Sequence, residues 1–114
     1  MSDCLFCKIS AGDIPAEVVK ENETVLAFRD INPQAPTHIL VIPREHINST
    51  LDFTQDNANV LADIALLAQE IARDEGIDNS GYRWVINTGI GAGQTVFHIH
   101  LHLLGGRPMT WPPG

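Results

Sequence analysis

Phe97-His98-Ile99-His100-Leu101-His102-Leu103-Leu104 alternates apolar and imidazole side chains over its first seven residues. Strict alternation is the period of a β-strand, in which successive side chains point to opposite faces. Phe97, Ile99, Leu101 and Leu103 then share a face turned to the core, and His98, His100 and His102 share the other. Strand rise spaces neighbouring histidines on that face by about 7 Å. With five histidines in the whole chain, three in register form a pattern rather than an accident of composition.

Outward from this strand, read over residues 96–104, the rest of the chain falls into place. Residues 81–87 read as a strand joined to it by the glycine-rich stretch 88–94. Residues 37–42 (Thr-His-Ile-Leu-Val-Ile) form a strongly apolar strand stopped by Pro43. Residues 17–20 and 24–29 suit a hairpin around Glu21-Asn22-Glu23. Residues 10–15 are a turn, and the prolines at 33 and 36 stiffen the loop 32–36. Residues 54–75 are the one convincing helix, with Val60, Leu61, Ile64, Leu67, Ala68 and Ile71 on one face. Thr54 or Asp56 is placed to cap its start, and Gly76 suits the left-handed position after its end. The tail Trp111-Pro112-Pro113-Gly114 is extended. Five strands and one long helix, in runs rather than strict alternation, predict an α+β fold with an antiparallel sheet. One helix covers only part of such a sheet, so loops or a second subunit must cover the rest.

The totals narrow the function. A chain of 114 residues buries roughly two-thirds of its surface, which suits one domain, residues 1–114. No apolar run approaches the roughly 20 residues of a membrane span, and the N-terminus Met1-Ser2-Asp3-Cys4 has no basic-then-apolar signal pattern. The formal net charge of −7 argues against a general nucleic-acid binder. Two cysteines three positions apart make no disulfide framework, which points to a reducing, cytoplasmic setting.

Histidines alternating on a strand support two chemistries. One is metal ligation; the other is attack by a neutral imidazole, with neighbours binding the developing charge. The preceding loop, Asn87-Thr88-Gly89-Ile90-Gly91-Ala92-Gly93-Gln94-Thr95, favours a phosphate-bearing substrate, because glycines admit close backbone approach and successive N–H groups can cradle an anion. It is neither a Walker loop nor a dinucleotide fingerprint. An acidic protein must bind phosphate through local dipoles of this kind.

The run from His98 to Leu104 resembles the signature of the histidine-triad (HIT) superfamily. Residues 26–38, the Asn87 loop and the tail from Gly105-Gly106-Arg107 to Gly114 resemble its Hint branch, the purine nucleoside phosphoramidases. The resemblance covers nearly the whole chain. It implies a HIT-like five-stranded sheet with one long helix and a short N-terminal helix, paired as a homodimer through the long helix and a sheet edge. It implies that His100 attacks the α-phosphorus of a purine nucleoside phosphoramidate, forming a nucleotidyl-histidine that water hydrolyses. By the same resemblance His102, Gly93, Gln94 and Thr95 hold the phosphate, Asp30 and Asn32 the ribose, and Phe6, Ile9, Phe28 and Ile31 the base. His38 and Asn87 are supporting positions, and Trp111 reaches a partner's site. Arg29, where some relatives carry His, leaves base or ribose preference open. No catalytic magnesium is expected.

Cys4-Leu5-Phe6-Cys7 is by itself ambiguous among a redox pair, two inert thiols and half of a zinc site. In relatives that resemble this pattern, two such cysteines, a downstream His and the first triad His bind zinc. That implies a closed structural site of Cys4, Cys7, His46 and His98. Three other readings remain beside the phosphoramidase: a non-enzymatic nucleotide-binding adaptor, a dinucleoside polyphosphate hydrolase, and a catalytic zinc held by the three triad histidines.

Overall fold

Residues 39–43 are apolar on both faces, so they need cover on both sides and hydrogen-bonding neighbours on both edges. Their place in the fold supplies all of it. The computed structural model describes residues 3–114, so the reading of Met1 and Ser2 lies outside the described residues. The elements are α1 (Leu5–Ala11), β1 (Val18–Glu21), β2 (Val25–Arg29), β3 (Thr37–Pro43), α2 (Val60–Asp74), β4 (Tyr82–Val85) and β5 (Leu101–Gly105). The sheet runs β1-β2-β3-β5-β4 with every pairing antiparallel. β3 lies at its centre, buried at all seven positions. This is the five-stranded α+β architecture expected from the sequence, with a long helix and a short one. No helix among the described residues is long and apolar enough to cross a membrane.

The two faces of the sheet carry separate cores. α2 packs Ile64, Leu67 and Ile71 against Val25, Ile39, Val41, Leu101 and Leu103. On the opposite face Phe6 of α1 packs against Leu26, Phe28, Leu40 and Ile42. α1 has only seven residues, fewer than a helix needs to persist alone in water. Its first turn is capped by Cys4, whose sulfur accepts from the Cys7 N–H, and Gly12 ends it in the left-handed region.

Several boundaries differ from the sequence reading, chiefly in α2, β4 and β5, and β1 is shifted by one residue to include Glu21. α2 begins at Val60 rather than near residue 54, because local side-chain bonds hold the preceding residues in turns. Thr54 Oγ1 accepts from the N–H groups of Asp56 and Asn57, and Asn57 Oδ1 accepts from Thr54 N–H. Its end is as expected: Gly76 adopts φ 75°, and the Ile77 N–H returns to the Ala72 carbonyl. β4 is shorter than residues 81–87. β5 starts only at Leu101, so His98 and His100 precede the ladder. The cause lies across the sheet, where Pro43 ends β3 and has no N–H to extend the pairing. Its carbonyl instead accepts from the imidazole of His98, while the Ile99 N–H bonds to the Ile47 carbonyl.

Two apolar residues are also placed differently. Phe97 is nearly half exposed rather than buried, while Ile99, Leu101 and Leu103 enter the core as expected. Leu61 leaves the buried face of α2 and, with Ala58, Ala62, Ala65, Trp84 and Ile86, lines an open apolar groove between α2 and β4.

The end of β5 turns sharply over the proline loop. Gly106 has φ 89°, and a Cβ there would lie 2.9 Å from the Pro36 ring, which cannot yield as a flexible side chain would. We expect Gly106→Ala to cost about 1–3 kcal/mol, from left-handed strain and the contact together. Thermal unfolding checks this: a fall of at least about 4 °C is expected, and an unchanged midpoint contradicts it.

Candidate active site and metal centre

Each of the histidines at 98, 100 and 102 commits one ring nitrogen to a fixed partner, and those partners set the protons. His100 Nδ1 lies 2.8 Å from the His98 carbonyl. A carbonyl can only accept, so Nδ1 carries the hydrogen and Nε2 keeps the lone pair. His98 Nε2 donates in the same way to the Pro43 carbonyl at 2.7 Å, which leaves its Nδ1 as the bare nitrogen.

His102 is fixed through His38. The Gln34 N–H donates to His38 Nδ1 at 3.0 Å, so the proton of a neutral His38 sits on Nε2. That Nε2–H donates to His102 Nδ1 at 2.9 Å, with Asp30 Oδ2 3.4 Å from the same nitrogen. His102 then carries its own proton on Nε2. Side by side stand a bare nitrogen on His100 and an N–H on His102, with ring centroids 5.0 Å apart. Burial pushes all four imidazoles below the ordinary histidine value. For His102 the fall reaches about 4, driven by burial first and then by His100 and His38, against the opposing charge of Asp30.

His100 and His102 line a cavity of about 400 Å³ whose walls are mainly apolar. Phe6, Ile9, Phe28, Asp30, Ile31 and Thr95 border it as the sequence reading grouped them. Leu5, Ile14, Pro15, Ala16, Leu40 and Val96 join them, and sequence reasoning missed these. Only Leu40 carried a usable signal, since it alternates along β3 onto the same face as His38.

Other expected site residues lie elsewhere. Gln94 is turned inward: its Oε1 accepts from Gly89 N–H and its Nε2 donates to the Asn48 and Val96 carbonyls, so it staples the loop. Gly93 takes φ 98° close to the Asn87 amide, and neither residue borders the cavity. Asn32 donates its N–H to Asp30 Oδ1, and Trp111 is 82% exposed. Arg29 borders the cavity, but Glu17 and Glu75 hold its guanidinium, the latter at 2.8 Å at the end of α2.

A second cluster adjoins the first through His98. Its bare Nδ1 lies 3.3 Å from Cys4 Sγ and 3.5 Å from Cys7 Sγ, and His46 Nδ1 lies 3.3 Å from Cys7 Sγ. All four donor atoms fall within 4.8 Å of one another. A tetrahedral zinc with two sulfur and two nitrogen ligands would separate its ligand atoms by about 3.3–3.8 Å. The far nitrogen of each imidazole is bonded to an oxygen, His46 Nε2 to Asn48 Oδ1 and His98 Nε2 to Pro43, as metal-binding histidines require. The donor set therefore fits zinc. The three triad histidines do not converge on one point: His98 faces the cysteines, and His102 faces His38 and Asp30.

Residues 11–109 match the HIT domain family. The chain belongs to that family. It is 49% identical over 115 residues to the 14 kDa zinc-binding protein of Zea mays, covering 99% of this chain and 89% of that one. It is 46% identical over 107 residues to the purine nucleoside phosphoramidase of Escherichia coli, covering 94% and 90%. A crystal structure of a HIT family hydrolase from Legionella pneumophila superposes with a TM-score of 0.95 at 58% identity, covering 97% of this chain and 99% of that one.

The depressed value of His102 has a consequence for stability. Unfolded His102 takes up a proton as pH falls through about 6.5, whereas the folded residue stays neutral down to about 4. In that window the unfolded state binds more protons, so stability falls as pH falls. Urea unfolding at pH 4 to 7 checks it. A shallower pH slope is expected in His102→Gln than in the unmodified protein, and equal slopes contradict the assignment.

Proposed function

We propose that this chain hydrolyses purine nucleoside phosphoramidates, with His100 as the nucleophile. The observation that carries the reading is the bond from His100 Nδ1–H to the His98 carbonyl, which leaves Nε2 as a lone pair beside the His102 N–H on the cavity lining. The apolar wall of Phe6, Ile9, Phe28 and Ile31 takes the base, and Asp30 takes the ribose hydroxyls. His102 Nε2–H and Thr95 hold the phosphate oxygens.

His100 Nε2 forms a bond to the α-phosphorus as the phosphorus–nitrogen bond breaks, and the amine departs with a proton from solvent. The nucleotidyl-imidazole keeps its Nδ1–H on the His98 carbonyl, which makes the ring a good leaving group. Water then adds to phosphorus as the bond from phosphorus to His100 Nε2 breaks and returns the lone pair to the ring; the nucleoside monophosphate departs and a proton returns to solvent. Two moderate barriers replace one large one. The 46% identity to the purine nucleoside phosphoramidase of Escherichia coli supports the same reading.

Cys4, Cys7, His46 and His98 would hold zinc with no open coordination position, so the ion supplies structure rather than Lewis acidity. The open apolar groove bearing Leu61 and Trp84 suits a second copy of the chain, giving a homodimer.

Brief mixing with adenosine phosphoramidate followed by intact-protein mass spectrometry tests the reading. An adenylyl adduct is expected on His100, with His100→Ala losing turnover by at least about a thousandfold. Adenosine monophosphate binding without adduct or turnover would instead support a binding protein and contradict the enzyme.

A further inference from the structure

Cys4 and Cys7 frame the first turn of the helix that walls the cavity. Leu5, Phe6 and Ile9 border the cavity from that same seven-residue segment. Little else ties α1 down. Phe6 is its one buried side chain, Ile9 packs partly buried on the same core, and Ser10 meets Arg44 Nη1 only at 3.4 Å. A helix this short has no stability of its own, so its position depends on what its ends are fastened to.

Two routes lead from the cysteine cluster to the reacting atoms. Through the main chain, His98 presents its imidazole to Cys4 and Cys7 while its carbonyl fixes the proton of His100. Through side chains, Phe6 stands edge-on to His98 at 5.9 Å, to His100 at 5.0 Å and to Phe28 at 5.5 Å. Freeing the cysteines would therefore release the cavity wall and loosen His98 at once.

We propose that the Cys4–Cys7–His46–His98 centre regulates the nucleotide cavity, its occupancy by a thiophilic divalent cation and the binding of nucleotide being thermodynamically coupled through α1 and His98. This rests on the nucleotide reading given above. The coupling is reciprocal by necessity: a cation that tightens nucleotide binding by some factor is itself tightened by nucleotide by the same factor. A distant structural ion would show no such linkage.

The test uses the full chain, zinc-loaded or stripped with a chelator, and adenosine monophosphate as probe. Calorimetry is expected to show nucleotide binding at least about tenfold weaker without zinc. Competition against a chromophoric chelator is expected to show zinc held tighter by the same factor when the nucleotide is saturating. Amide exchange of residues 5–11 rises on stripping while that of α2 does not.

Equal nucleotide affinity with and without zinc overturns the proposal, as does failure of the chain to hold one equivalent of zinc. Zinc-loaded protein that binds no adenosine monophosphate contradicts the nucleotide reading itself. That result is distinct from equal binding by both forms, which sinks only the coupling.

Discussion

The bond from His100 Nδ1–H to the carbonyl of His98 is the constraint on which the chemistry depends. A neutral imidazole has one proton and two nitrogens, and nothing in the ring decides where the proton sits. A backbone carbonyl two residues away makes the decision, and a nucleophile with its lone pair on Nε2 follows. The same logic runs through the neighbouring rings. Gln34 N–H settles His38, His38 settles His102, and the Pro43 carbonyl settles His98. Four side chains that could each exist in two forms are thereby held in one arrangement.

That arrangement needs the irregularity in the sheet. Were residues 96–100 a regular strand paired to β3, the His98 carbonyl and the Pro43 carbonyl would face ladder partners. Pro43 ends the pairing, and the segment leans on Ile47 instead. Only His102 remains within the ladder, opposite Leu40, where it meets His38. The triad is therefore split into three environments along five residues: metal cluster, cavity lining, and hydrogen-bonded pair. A uniform strand face would have given three equivalent rings.

Much of this was legible in the chain. Alternation from Phe97 to Leu104 identified the histidine face, and the apolar run 37–42 identified the strand it lies against. The three-and-four spacing found α2, although Thr54 and Asn57 delayed its start through bonds that periodicity does not see. The short helix α1 and the fourfold donor set came from the family resemblance, because seven residues carry too little pattern. What stayed hidden rests on main-chain atoms. The carbonyls of His98 and Pro43 and the N–H of Gln34 set the protons, and every residue has such groups whatever its side chain. The bonds of Gln94 were hidden for a related reason: its Oε1 accepts from the Gly89 N–H and its Nε2 donates to the Asn48 and Val96 carbonyls, main-chain partners that no side-chain pattern announces.

The most direct test of this account is the tautomeric state of the four rings at neutral pH, read from the ring nitrogens by nitrogen-15 NMR of histidine-labelled protein. The account predicts the hydrogen on Nδ1 of His100 and on Nε2 of His38, His98 and His102. A hydrogen on Nε2 of His100 would place the lone pair against the His98 carbonyl, and the proposed nucleophile would have nothing to attack with.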